Sequence, residues 1–316
     1  MEFSPEQNFV IINYHYVENP RADAPGIYPC SVNEFERQVA FLSRHFSIVS
    51  VPDLFEAAQR NENKKLCAIT FDDGLKDQYE HAVPVLKTYH ATAAFFIITG
   101  TFAGMLPLAY KIHILLSRMP IHQVAAMVNK FLSDSFPLLA DQYRIPSDRR
   151  LVPDRRLHED TLSANVKETL IMIPRDVRNA FFDMALKVGQ HTNEKEICNM
   201  LFMNEKEIAG LERDGFTIGS HTHQHESLEH KDETFLRDEI RASTDIFSRF
   251  LGTQPTIISY PHGRSNKTTW RVLAESGFTY GATIERRGLN EHDTPFLIPR
   301  FDTMDVKVFL DKSGEG

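Results

Sequence analysis

The sequence alternates short apolar runs with amphipathic segments, stops doing so near Thr101, and resumes near Glu205. Val10–Tyr14, Phe46–Val49, Leu66–Phe71 and Ala91–Ile98 read as short buried strands. Between them, Ser31 and Glu34 form a capping-box pattern ahead of Phe35, Val39 and Leu42 at helical spacing. Pro52 opens a second helix, and a third is expected over Gln78–Tyr89. After the gap, helices are expected over Glu205–Arg213, Glu233–Phe250 and Lys267–Glu275, and strands over Phe216–Gly219, Thr256–Ser259, Phe278–Thr283 and Phe296–Pro299. Strands separated by helices are the pattern of a parallel sheet or barrel. The gap itself shows only helical periodicity, at Ile112–Met119, Val124–Leu132, Leu162–Ile171 and Val177–Val188, around an irregular Arg-rich piece, Tyr143–Arg156. The expected architecture is α/β: one barrel-like domain built from residues 1–100 and 204–316, with a helical insertion over 101–203 between its fourth and fifth strands.

Composition narrows the function. Acidic residues outnumber basic ones, 43 to 35, for a net charge of −8, which argues against nucleic acid as the main partner. Cys30, Cys67 and Cys198 are odd in number and far apart, so they fit neither a disulfide framework nor a thiolate metal site. The most apolar stretch, Ala93–Leu108, is broken by Thr99, Gly100, Thr101, Gly104 and Pro107, and no membrane span is expected. Met1–Asn8 carries neither a basic nor an apolar leader pattern, and a cytoplasmic location is the expectation.

Three polar clusters follow expected strands, at the edge where parallel α/β folds build their sites. Thr70-Phe71-Asp72-Asp73-Gly74 places adjacent carboxylates where the chain leaves a strand; by itself this is equally an Asp-Gly turn. Gly219 to His225 carries His221 and His225 four apart, on one face if the segment is helical, with His223 pointing elsewhere and His230 too distant. Ser259-Tyr260-Pro261-His262-Gly263 reads as a rigid turn that can present a backbone N–H. Together they supply one Asp and two His, a set that leaves metal positions open for water and substrate, and the second Asp is a ready general base.

These segments resemble the polysaccharide deacetylase family, the NodB-type deacetylases or family 4 carbohydrate esterases. The resemblance lies in Thr70–Gly74, in the His-Thr-x-x-His of His221–His225, in Tyr260-Pro261-His262-Gly263 as the Tyr-Pro-x-Gly variant of the third motif, and in Asn13–Val17 as the first strand. It spans Val10–Ile98 and Glu205–Arg300 and does not reach the insertion. It implies a distorted (β/α) barrel of NodB type and a divalent metal, zinc foremost with cobalt, nickel or iron as alternatives, held by Asp73, His221 and His225. It implies that Asp72 acts as general base in hydrolysis of an N-acyl, usually N-acetyl, group on an amino sugar, with a backbone N–H at or near His262 stabilising the oxyanion.

The sequence departs from the family at two points. An Arg that tethers the base Asp in many members is replaced by Ser259, and Arg300 is the expected substitute. The late Leu-x-His that supplies a general acid is absent, leaving His15 and His262 as candidates. The Arg-rich piece, with Arg144, Arg149, Arg150, Arg155 and Arg156, suggests phosphate recognition and hence a nucleotide- or lipid-linked amino sugar, against the plainer reading of a solvated loop. Two His and a carboxylate also occur in iron-dependent oxygenases, whose expected scaffold is antiparallel β. A carbohydrate-binding relative without activity is the remaining alternative.

Overall fold

The computed structural model describes residues 2–20, 27–153, 159–187 and 193–314. Its described residues divide into two compact units, each with its own core. The first comprises Met1–Asn19, Pro29–Met105 and Lys195–Gly316; the second comprises Pro20–Tyr28 and Leu106–Glu194.

The first unit is a distorted, open (β/α) barrel. Its strands are β1 (Phe9–Tyr14), β2 (Ser47–Ile48), β3 (Leu66–Phe71), β4 (Ala94–Ile97), β5 (Thr217–Ser220), β6 (Ile257–Ser259), β7 (Tyr280–Ala282) and β8 (Phe301–Asp302). They are ordered β7-β6-β5-β4-β3-β1-β8, with β2 beside β3, and every ladder is parallel. An antiparallel oxygenase scaffold is thereby excluded for this chain. Among the described residues no ladder joins β7 to β8.

Side chains alternate across a strand, and this alternation builds the unit. Val10, Ile12 and Tyr14 of β1, Cys67, Ile69 and Phe71 of β3, and Phe95 and Ile97 of β4 share a core with Phe35, Val39 and Leu42 of the helix Val32–His45. Phe71 and Phe95 stack at 4.7 Å in that layer. The intervening residues, Phe9, Ile11, Leu66, Ala68, Ala94, Phe96, Ile257 and Ala282, form a separate cluster. Strands from both ends of the sheet meet there, so it lies on the concave face. Continuing the alternation puts Asn13, Thr70, Asp72 and Ser259 on that same face at the strands' C-terminal ends. Gly219 keeps the face tight, since a Cβ there would press on the Phe96 ring and Ile257.

Several elements depart from the sequence reading. The strand expected at Phe296–Pro299 is a single bridge between Ala282 and Ile298, and the ladder to β1 is made by Phe301–Asp302 instead. Pro299 cannot donate a ladder hydrogen bond, which favours the later residues. The helix expected over Gln78–Tyr89 begins as a π-turn, Gln78–Ala82, and continues as Val83–Thr88. The capping box at Ser31 is half made. Ser31 accepts from the Glu34 N–H, while the Glu34 carboxylate accepts from Gln38 and Arg37. Helices at Glu194–Leu201 and Thr303–Ser313 carry no cue used in the sequence reading. Residues 195–203 belong to the barrel unit because they are stitched to the end of β3. Met203 N–H donates to the Gly74 carbonyl, Phe202 bridges Leu75, and Lys76 Nζ donates to the Asn199 carbonyl.

The second unit is helical, with Leu108–Arg118, Ile121–Ser135, Pro137–Ala140, Thr161–Met172 and Arg175–Lys187. Ile112, Leu115, Val128, Leu132, Val166, Leu170 and Phe181 make its core. Buried Asn165 organises the irregular segment: it donates to the carbonyls of Pro146 and Arg149 and accepts from the Leu151 N–H. Arg150 donates inward to the Glu159 carbonyl, which gives that guanidinium a structural partner in place of the expected phosphate. Arg155 and Arg156 lie outside the described residues. Among the described residues no helix is long and apolar enough to cross a membrane.

Where β3 leads into its π-turn, burial pushes the Asp77 carboxyl up to about 7, with the Glu18 charge adding to it. The folded state therefore holds the Asp77 proton more tightly than the unfolded chain does. That contribution to stability is present below about pH 4 and is lost as pH rises through about 7. Asp77→Asn keeps an oxygen for the Val17 N–H, which Asp77 Oδ2 accepts at 3.0 Å. It should raise Tm over the unsubstituted protein by more at pH 8 than at pH 5 in thermal unfolding. An equal offset at both would mean that the carboxyl ionises normally.

Candidate metal centre

The concave face ends in charge. Asp72 continues the inward positions of β3, while Asp73 turns back into the same space because its backbone is left-handed, φ 76°. Adjacent side chains on a regular strand would point to opposite faces. This inversion is what aims both carboxylates at one site.

Two buried carboxylates side by side need countercharge. Arg300, 2% exposed, supplies it for Asp72 (3% exposed). Its Nη1 donates to Oδ1 at 2.8 Å and its Nη2 to Oδ2 at 2.9 Å. Its remaining N–H groups reach the Thr283 carbonyl, Asn13 Oδ1 and Ser259 Oγ, so the guanidinium is held all round. Asn13 Nδ2 adds a bond to Asp72 Oδ2 at 3.0 Å. Burial by itself would raise the Asp72 pKa, but the Arg300 charge, helped by His221, outweighs it and holds the carboxyl well below the usual range.

His221 follows β5 at the next inward position. Its Nδ1 lies 2.8 Å from the Ser259 carbonyl oxygen, which only accepts, so Nδ1 carries the proton and Nε2 faces the site. His225 does not reach the site through a helix, as its spacing suggests. The segment is a loop, with left-handed backbone at Thr222 (φ 66°) and His225 (φ 56°), and these two inversions fold the rings together. Helical geometry is unavailable because β5 runs straight into the loop, and Ser220 and Thr222 hydroxyls take the N–H groups of Thr222 and His225.

The result is a near-equilateral triangle of ligand atoms. His221 Nε2 and His225 Nε2 are 3.2 Å apart, and Asp73 Oδ1 is 3.3 Å from the first and 3.4 Å from the second. A tetrahedral ion with bonds of about 2.0–2.1 Å sets its ligand atoms about 3.3–3.4 Å apart. The three groups therefore fit a divalent cation in spacing and in donor type. They are the one group among the described residues found to combine three such donors, and all three are buried. Burial, followed by the His221 charge, pushes His225 down to about 4, so its ring is neutral near pH 7. Burial also opposes charge on His221, but Asp72 and Asp73 outweigh it and raise its pKa; a cation in the triangle would supply the positive charge in place of that proton.

The other expected residues surround this triangle. His15 is half-exposed, with Nε2 3.9 Å from Asp72 Oδ2. The His262 ring centre lies 5.0 Å from that of His225, on a turn where both His262 (φ 59°) and Gly263 (φ 68°) are left-handed. His223 turns aside to Thr99 Oγ1, and His230 is exposed. Asn13 was quoted in the sequence only as part of a strand motif. Its signal is positional: an amide two residues beyond Ile11 on the inward face, beside Asp72.

The Arg300–Asp72 pair yields a stability prediction. Arg300→Met should cost about 3–5 kcal/mol in urea unfolding, because it leaves a buried charge without its partner. Adding Asp72→Asn should recover part of that loss. A double variant less stable than the sum of the single losses would contradict the pairing.

The family model described as polysaccharide deacetylase matches residues 59–120 and 163–281, more than half of the chain. A Bacillus subtilis protein, YxkH, whose name assigns it to the polysaccharide deacetylases, is 31% identical over 91 residues, 29% of this chain and 33% of that one. The poly-β-1,6-N-acetyl-D-glucosamine N-deacetylase of Staphylococcus aureus is 23% identical over 120 residues, 35% of this chain and 41% of that one. The matches thus span well under half of either relative's length. The fold is similar to that of Streptococcus pyogenes deacetylase PplD in complex with acetate, with a TM-score of 0.59 and 17% identity over 96% of both chains. It is also similar to IcaB from Ammonifex degensii, with a TM-score of 0.57 and 18% identity over 93% of this chain and 91% of that one. With its family model matched across both halves of the barrel, the chain belongs to the polysaccharide deacetylase family.

Proposed function

We propose that this protein hydrolyses the N-acetyl group of an amino-sugar polysaccharide, releasing acetate and leaving a free amine on the sugar. The convergence of Asp73, His221 and His225 beside a tethered Asp72 supports this most directly. Membership of the family and the polymer named for the Staphylococcus aureus relative agree with it. Inward-turned Arg150 removes one of the arginines on which a phosphate-linked sugar would depend.

Asp73, His221 and His225 would hold a divalent cation, zinc foremost, which supplies Lewis acidity toward water and the amide carbonyl. Asp72 is the general base. Arg300 and Asn13 fix its carboxylate and keep it ionised, so it can accept the proton of the water that attacks the acetyl carbon. A backbone N–H at the His262 turn faces the oxyanion that forms on the carbonyl oxygen. The carbon–nitrogen bond then breaks, and the leaving nitrogen takes a proton from His15 or His262. His15 has the geometry to pass the proton on, since its Nε2 lies 3.9 Å from Asp72 Oδ2 and its ring reaches solvent. Arg300 thus takes the tethering role expected of it, with Ser259 as a hydrogen-bond partner.

Two measurements test this. Acetate release from poly-N-acetylglucosamine should fall about 10²–10⁴-fold in Asp72→Asn, the usual worth of a general base, while zinc content stays near that of the unsubstituted protein. His221→Ala should lose both zinc and turnover. Turnover surviving in Asp72→Asn would remove Asp72 from its role. For the acid, His15→Ala and His262→Ala are compared. The residue that serves should show a loss of about tenfold or more, and the alkaline limb of its pH–rate profile should change. If neither does, the proton comes from another source.

A further inference from the structure

We propose that Glu239, on the helix Glu233–Leu251, is a positioning residue that clamps the histidine loop into its metal-binding shape. The inference rests on reading Asp73, His221 and His225 as cation ligands, and extends it to a side chain that touches none of them.

Buried N–H groups need partners, and an irregular loop cannot find them in its own ladder. Five consecutive amides run from His221 to His225. The His221 N–H continues the β-ladder to the Ile97 carbonyl. The Thr222 N–H donates to Ser220 Oγ and the His225 N–H to Thr222 Oγ1, both within the segment. The two in the middle, His223 and Gln224, both donate to Glu239 Oε1, at 2.9 and 2.5 Å. Glu239 Oε2 takes a further bond from Gln224 Nε2 at 2.9 Å. Glu239 is 2% exposed, so water does not replace it.

The opposite side of the loop is fixed as well. Thr99 and Gly100 N–H groups donate to the carbonyls of Thr222 and His223. A peptide run with left-handed residues at Thr222 and His225 is thus held between one carboxylate and two amides. Apart from Ser220 at the end of β5, Glu239 supplies the only side-chain acceptor from outside the loop that its described amides use. Removing it leaves the two half-buried donors of His223 and Gln224 without their acceptor midway between the two ligands, and the loop relaxes to solvate them. His221 stays with its strand, so the spacing to His225 opens.

Zinc affinity measured by chelator competition on the full chain, stripped of metal and refolding-checked by circular dichroism, tests the clamp. Glu239→Ala should bind zinc at least about tenfold more weakly, within the about 10–100-fold range typical of groups that orient metal ligands. Glu239→Gln should stay within tenfold of the unsubstituted protein, because one carbonyl oxygen can accept both amides once the Gln224 carboxamide turns round. Ile240→Ala, a buried truncation one residue along the same helix, should lower Tm yet stay within tenfold in zinc affinity. A smaller loss in Glu239→Ala, or an equal loss in Ile240→Ala, overturns the proposal. If Glu239→Ala does not fold, Glu239→Asp is read by the same tenfold criterion, since its shorter reach withdraws the oxygens from both amides. An unsubstituted protein that takes up no zinc would refute the metal reading and the clamp with it, an outcome visible before any variant is compared.

Discussion

Two carboxylates on consecutive residues are buried at the mouth of a barrel, and the rest of the site is arranged around their charge. Burial drives each toward the neutral acid, which could neither bind a cation nor accept a proton. The chain resolves this separately for each. Asp72 receives Arg300, a delocalised cation with a planar fork that meets both oxygens and spends none of its donors on water. Asp73 receives two imidazoles whose ring nitrogens converge on the same side. One carboxylate is thereby committed to an internal partner and the other is left facing a triangle of donors.

The geometry is bought with backbone strain. Six described residues other than glycine have left-handed backbone, and four of them, Asp73, Thr222, His225 and His262, are at this site. Each costs on the order of 1–3 kcal/mol, and such conformations persist where surrounding structure over-determines them. Here the surroundings can be named: the ladder into β5, the hydroxyls of Ser220 and Thr222, the amides of Thr99 and Gly100, and the carboxylate of Glu239. A regular strand or helix would have aimed the same side chains apart. The helical unit, by contrast, places its polar residues on its own segments, with Asn165 ordering residues 146–151 and Lys167 paired to Glu159 at 2.8 Å.

The residue types and their order along the chain fixed much of this in advance. Near-continuous apolar runs in Val10–Tyr14 and Leu66–Phe71 specify strands, because each face of a parallel strand must meet a packed layer. The two-residue repeat of side-chain direction, carried forward along each strand, leads to Asn13, Thr70 and Asp72 on one face. Strand and helix alternating before and after the gap implied parallel neighbours and hence a common edge, which is where the three polar clusters fall. Their chemistry, paired Asp followed by two His, was legible as a cation site from composition and spacing, and the family resemblance assigned Asp73 rather than Asp72 to the ligand set.

What stayed hidden were contacts between residues remote in sequence and local reversals with no fixed sequence signature. The resemblance pointed to Arg300 as the tether of Asp72, 228 positions earlier, but the two-pronged contact and its Asn13, Thr283 and Ser259 partners follow only from β8 pairing with β1. The His-x-x-x-His spacing puts both rings on one face if the segment is helical, but it is a loop with two left-handed residues, whose amides are met by the local hydroxyls of Ser220 and Thr222 and by the Glu239 carboxylate of the helix Glu233–Leu251. Periodicity records which side of an element is buried, whereas a buried polar group is defined by the partner that satisfies it, and for Asp72, His221 and Glu239 that partner comes from a different strand, helix or loop.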